Sequence, residues 1–202
     1  MPTNGVQMRP GLSTFEFLQR YGTEAKCEAA LEAARWPSGF VCPRCEGRSA
    51  YAFRRGRQPY RECAGCGYQC SLIAGTMLEA SKLPLTRWFM AMQLLSQAKN
   101  NVAALELRRQ LGVSYPTAWL LKHKIMQAML QAESERHLHG RVELDDAYLG
   151  GERSGGKPGR GSENKVPFVL AVQTTDVGRP HQVCAAQLPF RRSAIAEFCD
   201  AH

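Results

Sequence analysis

Two cysteine pairs, Cys42-Pro-Arg-Cys45 and Cys63-Ala-Gly-Cys66, constrain the fold of this chain more than any other feature. Seventeen residues separate the pairs, and C-x2-C-x17-C-x2-C falls in the range of structural zinc sites. Two thiolates three positions apart on a tight turn can face one ion, and a second such turn completes a tetrahedron. Because such a site seldom exists in an unfolded chain, metal binding would supply on the order of 10 kcal/mol toward folding about 30 residues that lack a core of their own. With all four positions filled by protein, the zinc is structural. Cys70, four residues after Cys66, is an alternative ligand, whereas Cys27, Cys184 and Cys199 have no partner at ligand spacing and read as buried free thiols.

The remaining composition is ordinary for a chain of 202 residues, with 44% hydrophobic and 22% charged residues, which argues against a disordered or collagenous chain. The longest uncharged apolar run, Val166 to Thr175, is too short for a bilayer span. The first residues show no secretory signal pattern, so a cytoplasmic, reducing location is expected. Charge is unevenly placed. Residues 1–140 hold 18 Lys and Arg against 10 Glu, net +8, and residues 141–202 hold 8 against 8. All four aspartates, Asp145, Asp146, Asp176 and Asp200, lie in the neutral remainder. A basic front suits a polyanion, and clustered acids suit metal ions.

Along the chain the pattern changes four times. Residues 12–35 read as helical, with Ser13-Thr-Phe-Glu16 as a capping box and Pro37 with Gly39 as the stop. The cysteine region carries short strands at Ser49–Phe53 and Pro59–Glu62. Thr86 to Gln131 is helical with breaks at Asn100-Asn101 and Gly112-Val113-Ser114, which predicts three helices, and 133–140 reads as a linker. Strand-like periods follow at Arg141–Leu149, Val166–Thr174 and Gln182–Leu188, then a helix from Ser193 to His202. The expected organisation is an α+β multidomain chain: an N-terminal helical segment (1–36), a zinc ribbon (37–72), a helix-turn-helix (82–132) and a last α/β domain (140–202).

Two stretches point to nucleic acid. On the ribbon, Arg48, Arg54, Arg55, Arg57 and Arg61 alternate with Tyr51, Phe53 and Tyr60, as on a phosphate-contacting surface. Asn101 to Leu111, the Gly112-Val-Ser114 turn and Tyr115 to Ile125 match a helix-turn-helix, with Gly112 making the turn and Ser114 capping the second helix. Its core would be Ala104, Leu107, Leu111, Val113, Ala118, Leu121 and Ile125. Tyr115, Thr117, Lys122 and Lys124 would then meet the groove and its phosphates, with Arg108 and Arg109 adding backbone charge.

Strand parity in Val142-Glu-Leu-Asp-Asp-Ala-Tyr-Leu149 puts Val142 and Leu144 on one face and Glu143 and Asp145 on the other, so Asp145 and Asp146 point oppositely. Here the sequence resembles the ISXO-type zinc-ribbon insertion-sequence transposases, a bacterial mobile-element family of DDE recombinases. The resemblance runs from about Trp36 to the end, through Trp36-Pro-x-Gly-Phe-Val-Cys-Pro-Arg-Cys45, Gly75-Thr-Met, Lys82-Leu-Pro-Leu-x-x-Trp88, the helix-turn-helix and Val142-Glu-Leu-Asp-Asp-Ala-Tyr-Leu-Gly-Gly151. It implies a ribonuclease-H-like α/β domain whose acids hold two magnesium ions and cut and rejoin DNA, with Asp145 as the first acid. Where the family commonly places a glutamate next, this chain has Asp146.

The resemblance also implies paired element ends and hence a homo-oligomer on DNA. Its second and third acids belong after a fourth strand and on a later helix, past residue 202, and Asp176 and Asp200 are poor substitutes. The chain is therefore expected to be a truncated and incomplete form of that domain, inactive alone. The glycine-rich stretch Gly150 to Gly161 could follow a DNA backbone. A non-enzymatic zinc-ribbon and helix-turn-helix regulator is the alternative reading.

Overall fold

The computed structural model describes residues 11–98, 100–134, 137–149 and 165–201, so the Gly150–Gly161 stretch lies outside the described residues. The described chain mixes helices with two antiparallel sheets and forms two compact units, Gly11–Ala128 and a unit containing Met129 onward. Among the described residues no helix is long and apolar enough to cross a membrane.

In the first unit, α1 (Thr14–Tyr21) opens on the expected capping box. The Glu16 N–H donates to Ser13 Oγ at 3.2 Å, and the Ser13 N–H donates back to the Glu16 carboxylate at 2.8 Å. The Ser13 hydroxyl, which donates to the same carboxylate at 2.7 Å, and then the Ser13 N–H hold the Glu16 carboxyl below its usual range. Helix α2 (Glu24–Arg35) carries glutamates four residues apart, and each one ties down a different element. Glu24 accepts from the N–H groups of Leu85 and Thr86 at 2.7 and 3.1 Å, closing the start of α3 (Leu85–Gln97), whose own N-cap Pro84 offers no side-chain acceptor. Glu28 takes the Arg54 guanidinium through two bonds of 2.9 and 2.8 Å, and Glu32 takes Arg61. One turn on, Arg35 donates to the carbonyls of Ser71 and Leu72 at 2.9 and 2.7 Å.

The small sheet that α2 grips is β1 (Ala50–Arg55), β2 (Gln58–Cys63) and β3 (Gln69–Ser71), antiparallel in that order. Phe53 lies opposite Tyr60, with ring centroids 5.4 Å apart. The helical core collects Cys27, Leu78, Leu85, Trp88, Ala91 and Val102 with residues from α4 (Ala104–Leu111) and α5 (Tyr115–Ser134). Between those two helices Gly112 turns the chain with φ 62° and ψ 43°, a left-handed conformation that suits glycine. Ser114 then accepts from the Thr117 N–H at 3.4 Å. Leu107, Leu111, Ala118, Leu121 and Ile125 are all buried, as the apolar spacing predicts.

The second unit is a three-stranded antiparallel sheet, β4 (Val142–Leu149), β5 (Val166–Thr174) and β6 (Pro180–Ala186), followed by α6 (Arg192–Ala201). Its core is Val169, Ala171, Cys184 and Phe198, flanked by Leu138, Leu188, Phe190 and Ile195.

Candidate metal centre and nucleic-acid interface

The two cysteine turns are built alike. In the first, the Cys42 N–H donates to the Gly47 carbonyl and the Glu46 N–H to the Cys42 carbonyl, both at 2.9 Å. In the second, the Cys63 N–H donates to Tyr68 and the Gly67 N–H to Cys63, again at 2.9 Å. The left-handed position falls on Glu46 (φ 60°) in one turn and Gly67 (φ 67°) in the other.

The four sulfurs lie within 4.8 Å of one another, with Cys42–Cys66 at 3.7 Å and Cys45–Cys63 at 3.5 Å. A tetrahedron with Zn–S bonds of about 2.3 Å has edges of about 3.8 Å, so the set fits zinc. Gly47 keeps that space open: a Cβ there would sit 3.2 Å from the Cys63 sulfur and 3.3 Å from that of Cys45. The N–H groups of Cys66 and Gly65 lower the Cys63 thiol to about 7. At Cys45 the Gly47 N–H favours the thiolate, but the Cys66 and Cys63 thiols and burial outweigh it and push the group up to about 12. Four thiolates in this space need a bound cation to ionise together. Cys70 lies outside the set, its sulfur 3.4 Å from the Arg35 guanidinium.

The ribbon arginines divide by what they touch. Arg54 is held by Glu28 and by the Arg57 carbonyl at 2.6 Å, and Glu28 keeps its guanidinium above the ordinary value. Arg55 donates to Gln69 and lies over the Phe53 and Tyr60 rings at 5.6 and 5.2 Å. Arg48 and Arg57 are exposed, and their guanidinium groups have no hydrogen-bond or ion-pair partner among the described residues. Arg57 lines a cavity of about 410 Å³ together with Lys82, Leu72, Ile73 and Leu83.

On α4, Arg108 and Arg109 are exposed, and their guanidinium groups likewise have no partner among the described residues. At the start of α5, Tyr115 is exposed, and Thr117 is half-buried with its hydroxyl 2.8 Å from that of Ser114. Lys122 is half-buried, and the half-buried Lys124 donates to the Glu79 carbonyl at 3.3 Å.

In the second unit Asp145 is exposed, and its Oδ1 accepts from the Asp146 N–H at 2.8 Å. Asp145 lies opposite Leu170, and Asp146 lies opposite the buried Val169, so the two carboxylates occupy opposite faces, as parity predicts. Asp146 and Leu144 share the face that Val169 and Ala171 bury, yet Leu144 stays 43% exposed and Val142 40%. Asp176 is exposed in the β5–β6 turn and Asp200 is exposed on α6. Among the described residues the four cysteines are the one group of three or more potential ligands brought together. Sequence reasoning missed Glu24, Arg35 and Gly47, whose roles depend on partners distant in the chain.

The site thus defines a class: a four-cysteine ribbon beside a helical core, followed by a sheet that exposes a strand aspartate. Residues 22–69 match the family described as a transposase zinc-ribbon domain, and residues 137–199 match the ISXO2-like transposase domain. The resemblance to ISXO-type insertion-sequence transposases that the motifs imply is thereby shown over two separate domains. A curated relative, an uncharacterized protein in transposable element ISH50 of Halobacterium salinarum, is 29% identical over 186 residues. That alignment covers 83% of this chain, and the chain spans 60% of the relative's length. No solved structure matches.

Proposed function

We propose that this chain is the DNA-gripping part of an insertion-sequence transposase, with Asp145 as the first acid of a DDE site in a ribonuclease-H-like domain. The observation that carries the reading is that the ISXO2-like transposase match, residues 137–199, encloses an exposed aspartate in the middle of β4. Zinc holds the ribbon. The helix-turn-helix of α4 and α5 presents Tyr115 and Thr117 to a groove, with Lys122 and Lys124 toward the adjoining phosphates. Arg57, Arg108 and Arg109 contact phosphate, since their guanidinium groups have no partner within the described residues. Arg54 and Arg55 set the shape of the ribbon more than they contact DNA, because Glu28 and Gln69 already engage them. The substrate is the DNA of element ends and target, in the cytoplasm, and paired ends call for a homo-oligomer.

Two divalent ions, magnesium in this reading, supply activation of the attacking oxygen and stabilisation of the leaving one. Asp145 would hold one of them from the open sheet face, its Oδ1 oriented by the Asp146 N–H. A two-ion site takes several acids, and among the described residues Asp145 belongs to no group of three or more potential ligands. The 202-residue chain is therefore assigned binding without cutting. DNA affinity measured against salt tests the first part: Arg57→Ala and Arg108→Ala each flatten the log–log slope by about one contact, while Arg54→Ala lowers stability and leaves the slope in place. A nicking assay with magnesium tests the second. Cutting that Asp145→Asn abolishes would keep the acid's role and overturn the binding-only assignment, and a salt-independent affinity would overturn the DNA reading altogether.

A further inference from the structure

The ribbon sheet has two faces, and α2 holds one of them. Strand pairing puts Ala52, Arg54, Pro59 and Arg61 on the held side, where Glu28 and Glu32 engage the two arginines. Tyr51, Phe53, Arg55, Tyr60 and Glu62 fall on the opposite side, and the three rings belong to neither hydrophobic core. Phe53 stacks on Tyr60 across the strands at an interplanar angle of 27°. The Arg55 guanidinium lies over both rings and is tied by Gln69. That clamp fixes the ring pair. Tyr51, 70% exposed although it sits within a strand, is left as the open ring beside it. We propose that this face is a stacking platform for the bases of an unpaired DNA strand, with Tyr51 as its main contact.

The proposal rests on the DNA reading for the class of partner and adds the form of the strand. In a duplex each base shows only its edges, because its neighbours cover both faces, so rings standing on a sheet have nothing to stack on until the strand is unpaired. Tyr51 and Phe53 lie two residues apart on one face, about 6.6 Å along the strand. That is close to twice the roughly 3.4 Å rise per nucleotide of a stacked strand, the space one base takes between two rings. Charge is complementary as well. The one carboxylate among the strand residues of this face, Glu62, accepts from the Gln69 amide at 2.6 Å. Arg55 stands on the face itself, and Arg48 and Arg57, before and after β1, carry guanidinium groups with no partner among the described residues. Stacking tolerates any base, so the platform would grip a strand opened at an element end while the groove-reading helix selects the site.

Oligodeoxythymidylate carrying one 2-aminopurine, titrated with the full zinc-loaded chain, tests the platform. Stacking on a ring quenches that fluorophore, so the wild type should quench it on binding. Tyr51→Ala should weaken binding about tenfold or more and relieve the quench, while circular dichroism and zinc content stay those of the wild type. Tyr51→Phe, which keeps the ring, should bind and quench like the wild type. Neither variant should alter the slope of log affinity against log salt, since no ionic contact is lost. A wild type that does not quench, a Tyr51→Ala variant that binds and quenches like the wild type, or a loss accompanied by a flatter salt slope would overturn the proposal. The wild-type quench decides the matter even if Tyr51→Ala does not fold. Failure of the groove reading is distinguishable: a chain that ignores duplex DNA yet quenches the unpaired strand keeps the platform, and one that binds duplex with the expected salt slope but never quenches loses the platform alone.

Discussion

Glu24 is half-buried at the head of α2, and its carboxylate receives the first two N–H groups of a helix that begins 61 residues later. A carboxylate at a helix start satisfies orphan donors and meets the positive end of the helix dipole. Glu24→Ala should therefore cost about 1 to 2 kcal/mol in urea unfolding, and Glu24→Gln, which keeps one acceptor, distinctly less. Equal losses for the two would show that packing, rather than the cap, is what Glu24 supplies. Three residues on, Cys27 is buried, and its S–H donates to the Tyr21 carbonyl at 3.1 Å. Burial first, then Glu24 and Glu28, pushes this thiol up from 9.0 to about 11. The folded state thus holds its proton more tightly than the unfolded chain. The resulting stability is fully present below pH 9 and is lost as pH rises through 11. The urea midpoint should fall across that window, and the fall should be shallower in Cys27→Ala. An unchanged slope in the variant would remove Cys27 as its source.

At the level of elements, the ribbon depends on the ion and on α2. Cys45 tests the ion cleanly, because it is the exposed member of the four and its replacement disturbs no core. Cys45→Ser should lower bound zinc below one per chain and loosen amide protection in β1 to β3, as zinc analysis with hydrogen exchange would read. Full zinc content in the variant would shift the fourth ligand elsewhere.

The elements themselves were largely legible. The Val166–Thr174 strand has the bounds its apolar run predicts, and the breaks at Asn100-Asn101 and Gly112 to Ser114 separate α3, α4 and α5. The spacing of the cysteines foretold their convergence, since ligand geometry is a local constraint on two turns. Strand β3 was not legible, because three residues carry no period and their hold comes from Arg35, 36 residues away from Ser71. The glutamates of α2 show a helical face in sequence, but their partners lie in other elements. On β4 the alternation separated Asp145 from Asp146, yet it did not foretell that Val142 and Leu144 stay exposed. The buried residues of that unit sit on β5, β6 and α6, leaving the β4 end of the sheet open.

For the whole molecule, the two units differ in what stabilises them. The unit Gly11–Ala128 has a core of eleven buried residues, Cys27 through Ile125, together with the cysteine cluster. The described core of the other has four, Val169, Ala171, Cys184 and Phe198, and its exposed apolar residues include Val142, Leu144, Leu149 and Val166. Stability of a small domain scales with the apolar surface it removes from water, and a four-residue core leaves little margin over the entropy of ordering the strands. Cores that share no buried residue can unfold separately. Heating should therefore give two transitions, with the amides of β5 and β6 exchanging before those of α3 to α5 in hydrogen-exchange mass spectrometry. Chelating the zinc should lower the transition of the Gly11–Ala128 unit and leave the other in place, since the cysteine ligands all belong to the former. One coincident transition that moves as a whole with chelator would mean that the sheet of β4 to β6 draws its stability from the ribbon-bearing unit, and the division of the chain into two independent cores would fail.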